Sequence, residues 1–326
     1  MDALRGIAAI SVCLFHFSLF GYGCTGVDLF FIISGFVIFM SLTHVKSIKD
    51  FWFSRIIRLY PSYWLSIIIA VVSIKLFNDH PLPHNLKFVI GNITMFQPLF
   101  HTTNLADVYW TLYVEMSFYI IIFLLWLFNL FKNIELLILI GLVITATING
   151  VYLITGNEYA QYTKFFVITR SIMPLLSHFQ FFAAGIIFYI CYTKGFNSYR
   201  VALLILTICE AAVAHSNSVM INSYLTIYEH VMCNIIFYMV FALIISNKLS
   251  FLKAKILIAF GNASYPIYLI HQSFGVSLKA YLNHITGEIN STIIAISCTL
   301  LLSFLITYFY DIPIRHWLRH KYLGKT

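Results

Sequence analysis

An ionisable side chain inside an apolar stretch costs several kcal/mol unless it is paired or wetted, so each one is a candidate for function. In this chain such groups form two layers. Arg5 and His16 stand eleven positions apart in the first apolar stretch, about three helical turns on one face and roughly 16 Å of rise. Asp28 opens the next stretch, Glu115 lies a turn and a half into a later one, and His271 sits far along another, all at the depth of His16. Glu229 falls near the same layer and Glu210 near mid-membrane. At the opposite depth, Arg55-Ile56-Ile57-Arg58 puts two guanidinium groups on one helical face beside Lys46 and Lys49. Arginine forks grip phosphate oxygens, and a histidine held by a carboxylate can accept a proton. Acyl transfer from a CoA thioester to a hydroxyl needs both. A proton-coupled transporter or flippase of an envelope lipid fits the same spacing, and a catalytically silent membrane binding protein is a third reading.

The remaining candidates have plainer explanations. Arg55 and Arg58 also suit topology anchors. His178, His215 and His230 read as interhelical hydrogen-bonding groups. His80-Pro-Leu-Pro-His84 has a metal-like interval, but the prolines prevent a regular helix and no third ligand is local, so no metal is expected. Five of the six cysteines (Cys13, Cys191, Cys209, Cys233 and Cys298) fall in or at the ends of apolar runs and read as small packing residues. The 31 Phe and 21 Tyr read as packing and interfacial belts.

The elements that position these groups must live in lipid. Of 326 residues, 60% are hydrophobic and 10% charged, against roughly 45–50% and about 25% in soluble domains, and the mean hydropathy is +0.87. Division at polar and Gly/Pro breaks predicts ten spans, near 3–20, 27–44, 59–77, 110–131, 134–154, 173–192, 201–215, 223–246, 256–275 and 291–311. With the N-terminus inside, fifteen of the twenty Lys and Arg residues fall on inner segments, leaving Lys75, Lys87, Lys164, Arg170 and Lys279 outside. The positive-inside rule therefore selects an N-in, C-in, all-α polytopic bundle. The net charge of +8 is a topology signal and gives no reason to expect nucleic acid. The segment 78–109, with prolines at 81, 83 and 98, is expected to lie in the interface or re-enter the membrane.

Five motifs in order then carry a resemblance. They are Asp2-Ala3-Leu4-Arg5-Gly6 with His16; Gly26-Val27-Asp28-Leu29-Phe30-Phe31 with Ser34-Gly35-Phe36; Arg55-Ile56-Ile57-Arg58-Leu59-Tyr60-Pro61; Trp110-Thr111-Leu112-Tyr113-Val114-Glu115-Met116-Ser117; and Ser264-Tyr265-Pro266-Ile267-Tyr268-Leu269-Ile270-His271. Across essentially its whole length the chain resembles the integral-membrane acyltransferase family 3. That resemblance implies a multi-pass enzyme of the bacterial cytoplasmic (inner) membrane. It would move an acyl group, usually acetyl from acetyl-CoA, to a hydroxyl of a cell-surface or exported glycan such as lipopolysaccharide O-antigen.

Carried over by motif position, His16 is the catalytic base with Arg5 its motif partner. Asp28 or Glu115 orients the imidazole, and Arg55 and Arg58 bind the donor phosphates with Ser34 also on the donor. His271 and Tyr265 are secondary candidates. Met116 stands where many members carry a second acidic or polar residue. The expectation is a single domain over 1–326 without an appended soluble domain, transfer to a membrane-associated glycan either directly or through a covalent acyl-His intermediate, and no permanently bound cofactor beyond the acyl-CoA substrate.

Overall fold

A computed structural model describes residues 1–45, 47–77, 83, 85–155, 172–215 and 218–324. Every described element is helical, as lipid demands, because a helix satisfies its own backbone polar groups. Each of the ten predicted stretches overlaps an α-helix, although 173–192 enters its helix only at Phe179 and 223–246 is broken at Leu225 and Thr226. Among the described residues, seven helical segments are long and apolar enough to cross a membrane, and Phe179–Lys194 is a shorter apolar helix. The exposed surface is itself apolar, with Phe309 79%, Ile289 75% and Leu305 44% exposed, while Asp28, Asn149, Asn234 and His271 are buried. That inversion is what a hydrocarbon solvent selects.

The chain forms two compact units. The first takes 2–23, 45–113 and 255–326. It contains α1 (Asp2–His16), α3 (Ile48–Phe77), α4 (Leu86–Thr94), α11 (Lys255–Ile270), α12 (Ser277–Thr286), α13 (Glu288–Ile306) and α14 (Ile312–Leu323). A π-helical segment, His271–Val276, joins α11 to α12, and another, Thr307–Asp311, joins α13 to α14. Helix α1 packs on α11 through two glycines. A Cβ on Gly6 would lie 2.8 Å from Gly261 N, and one on Gly261 would lie 2.3 Å from Asp2 O. Pro61 lies inside α3, and the hydroxyls of Tyr265 and Tyr310 donate to the neighbouring carbonyls of Leu59 and Pro61 at 3.1 and 3.2 Å.

Most of the predicted interfacial segment also belongs to this unit. Asn85 caps α4 by accepting from Phe88 N. Buried Tyr63 donates to Asn92 O at 2.5 Å, and the Asn92 amide in turn holds Thr103 O and Leu105 N. Residues 78–82 and 84, including His80 and His84, lie outside the described residues, as do Lys46, Lys164, Arg170 and Lys325.

The second unit takes 24–44 and 114–254, with Met1. It contains α2 (Gly26–His44), most of α5 (Trp110–Leu127), α6 (Ile134–Thr155), α7 (Phe179–Lys194), α8 (Ser198–His215), α9 (Val219–Tyr224) and α10 (Ile227–Ile245). Helices α2 and α7 approach backbone to backbone, since a Cβ on Gly35 would lie 2.2 Å from Phe182 O and one on Gly185 2.0 Å from Ile32 O. All six cysteines are free thiols.

Candidate functional site

In the first unit, α1 carries both Arg5 and His16. Arg5 pairs with Asp2 one turn earlier at 3.0 Å. His16 is half-buried, and its ring centroid lies 5.0 Å from that of His271. His271 is fully buried, at the first position of a π segment, a feature that often marks functional sites. Its Nδ1 faces two carbonyls, Tyr268 O at 2.8 Å and Ile267 O at 3.2 Å. Carbonyls only accept, so Nδ1 carries the proton and Nε2 presents a lone pair. That Nε2 is buried with no hydrogen-bond partner among the described residues.

Within this unit the ring of His271 thus lies beside that of His16. A carboxylate is also within electrostatic reach of His16: Asp107. Gln272 Nε2 donates to Asp107 Oδ2 at 3.1 Å, and Val108 N donates to Gln272 Oε1 at 3.2 Å. Tyr268 reinforces the same docking, its hydroxyl 2.7 Å from Thr111 Oγ1 and 3.2 Å from Val108 O. The Trp-Thr-Leu-Tyr motif therefore begins pinned to the His271 segment. Asp107 was missed because it lies three residues outside that motif.

The arginine pair also sits in this unit. Arg55 is buried, with its guanidinium 5.8 Å from the centre of the Phe51 ring. Arg58 is within electrostatic reach of both Asp311 and Arg315. Asp311 is buried at the end of the second π segment, accepting from Ser62 Oγ at 2.5 Å and pairing with Arg315 at 2.6 Å. The i,i+4 spacing of Asp311 and Arg315 was the available signal for this pair.

The other candidates belong to the second unit. Ser34, expected on the donor, donates to Glu115 Oε1 at 2.9 Å, and the Tyr119 hydroxyl donates to the same oxygen. Asp28 is buried, and His230 Nε2 donates to its Oδ2 at 2.9 Å. This joins α2 to α10 by a histidine expected to hydrogen-bond between helices. His215 Nε2 lies 3.0 Å from Leu225 O, in the connection between α9 and α10, and the ring of His178 is tilted against that of Phe31 with 5.3 Å between centroids. Glu229 caps α10, its carboxylate bonded to Thr226. Glu210 accepts from Asn149 Nδ2 at 2.8 Å. The structure brings His16 to His271 and Ser34 to Glu115, while Asp28 is engaged by a residue outside the candidate set.

Comparison with known proteins bears on the chemistry. Residues 1–308 match the model of a family described as an acyltransferase domain. ORF330 of Acidianus two-tailed virus, named as an acetyltransferase, is 28% identical over 280 residues, covering 82% of this chain and 80% of that one. The peptidoglycan O-acetyltransferase OatA of Listeria monocytogenes is 31% identical over 167 residues, 44% of this chain and 27% of OatA. The O-acetyltransferase OatA of Staphylococcus aureus is 25% identical over 186 residues, 50% of this chain and 31% of OatA. The chain thus spans most of the viral protein and about a quarter to a third of the length of the two bacterial relatives. No solved structure matches.

Proposed function

The chain belongs to the acyltransferase 3 family and is a multi-pass membrane O-acyltransferase, and from that premise we propose that it moves acetyl from acetyl-CoA to a hydroxyl of an envelope glycan. The donor comes from the cytoplasmic face, and the acceptor is a membrane-associated or exported glycan. Family membership favours this over the transporter or flippase reading. The observation that carries the proposal is the His16–His271 pair in the unit that also holds the arginines.

In the reaction, His16 takes the proton of the acceptor hydroxyl as its oxygen attacks the thioester carbonyl. The carbon–sulfur bond breaks, and the departing thiolate of CoA receives the proton from His16. His271, its tautomer fixed by the Tyr268 and Ile267 carbonyls, offers Nε2 as a lone pair that orients His16. Asp107 stabilises the imidazolium, the role a carboxylate plays beside a catalytic histidine. Arg55 and Arg58 hold the CoA phosphates, with Asp311 keeping the basic cluster in place. Arg5, Asp28, Glu115, Ser34 and Tyr265 stay assigned to the machinery on the motif resemblance. No cofactor beyond the acyl donor is proposed, and the membrane is the bacterial cytoplasmic one.

Membranes containing the protein, incubated with radiolabelled acetyl-CoA and glycan acceptors, should leave base-labile label on sugar. Membranes lacking the protein should not. Labelled glycan equal in the two preparations would refute the proposal.

A further inference from the structure

Two cavities in the second unit adjoin at one residue. The first, of about 390 Å³, lies where the α5–α6 and α7–α8 connections meet, and Lys132, Lys194, Arg200, Tyr199 and Glu135 line it. The second, of about 180 Å³, is wholly apolar, bounded by residues of α5, α6 and α7 such as Leu125, Leu137, Ile138 and Ile186. Ile134 lines both. A basic recess and an apolar groove therefore lie side by side at Ile134. Along α6 the groove reaches from Ile134 to Thr145, roughly 16 Å of helix and about half the thickness of a hydrocarbon core.

The charges are unbalanced. Three cations share the recess with one carboxylate, and that carboxylate is engaged, accepting from Arg200 Nε at 2.9 Å. Arg200 Nη1 donates to Gly195 O at 2.6 Å, which fixes its guanidinium at the wall. Lys132 and Lys194 are exposed, and none of the ion pairs among the described residues uses either ammonium. Tyr192, Phe196 and Tyr199 are exposed nearby, as aromatic side chains are where a membrane meets water. A recess of this charge suits phosphate, and an adjoining apolar groove suits a hydrocarbon chain.

We propose that the recess and groove together bind an anionic phospholipid, its phosphate between Lys132, Lys194 and Arg200 and one acyl chain along α6. Basic pockets between spanning helices recognise anionic headgroups in this way. With the N-terminus inside, both connections face the cytoplasm and the lipid comes from that leaflet. The apolar groove beside the recess, which free phosphate would leave unfilled, selects the lipid over free phosphate. The site uses none of the residues assigned to acetyl transfer.

The test is thermal unfolding of the purified full chain in neutral detergent, titrated with phosphatidylglycerol, phosphatidylcholine or inorganic phosphate. A ligand of the folded state raises Tm with its concentration. Phosphatidylglycerol should raise Tm, and the other two should do so far less. Lys132→Gln with Lys194→Gln should demand roughly tenfold or more lipid for the same shift, whereas the double Lys→Arg variant should respond like the parent. Leu137→Trp, which fills the groove, should suppress the response, with Ile121→Trp used in its place if Leu137→Trp lowers the lipid-free Tm. Equal responses to the two lipids, a full response to inorganic phosphate, or an unaltered response in the Lys→Gln variant would overturn the proposal. No arm measures acetyl transfer, so this outcome and that of the transferase reading are separable.

Discussion

His16 and His271 sit 5.0 Å apart, yet their surroundings leave them different work. His271 is committed at Nδ1 to backbone carbonyls, whereas His16 is half-buried and has room to meet a substrate. A base at His16 contributes about 10²–10⁴-fold, so His16→Ala should lower kcat by that factor with the amount of inserted protein unchanged. His271→Ala should cost about tenfold, and His271→Gln should recover part of it because the amide oxygen supplies an acceptor in place of Nε2. Asp107→Asn preserves size and removes charge, and the same turnover assay should register about tenfold loss. Full activity in either the His271→Ala or the Asp107→Asn variant would remove that residue from the account.

At the scale of elements, the two arginines one helical turn apart on α3 should serve binding more than chemistry. Arg55→Ala or Arg58→Ala should raise KM for acetyl-CoA roughly tenfold or more at nearly constant kcat, and Arg→Lys should recover only part, a point charge being a poorer match than a fork. Loss of kcat at unchanged KM would place the pair elsewhere. Motif glycines act through packing. Gly35→Leu would drive its side chain into the Phe182 backbone, an overpacking cost of about 1–3 kcal/mol or more, read as a lower Tm or less folded protein. The apolar runs and arginine spacing made the helices legible in sequence, because both depend on neighbours along the chain. What was illegible depends on distant partners: Asp28 is bound by a histidine 202 positions away. Asp107 reaches its place through Gln272. The π segments that bury His271 and Asp311 have no hydrophobic period of their own to announce them.

For the whole molecule, the claim is that donor and acceptor meet the protein from opposite faces of the membrane. Native thiols do not report this well, since Cys24 and Cys191 are buried. Cysteines introduced at Gly21 and Asn133, both exposed, should do so: on intact spheroplasts an impermeant thiol reagent should label Gly21→Cys and spare Asn133→Cys. The reverse pattern would invert the N-in orientation that the distribution of Lys and Arg predicts. The most direct test of the central claim uses sealed inside-out vesicles given radiolabelled acetyl-CoA on the outside only, comparing the parent with His16→Ala at equal protein levels. The account predicts acetylated glycan in the lumen for the parent and at least a hundredfold less for the variant. Parent label on glycan outside the vesicles and none in the lumen, or equal label in the two, would contradict it.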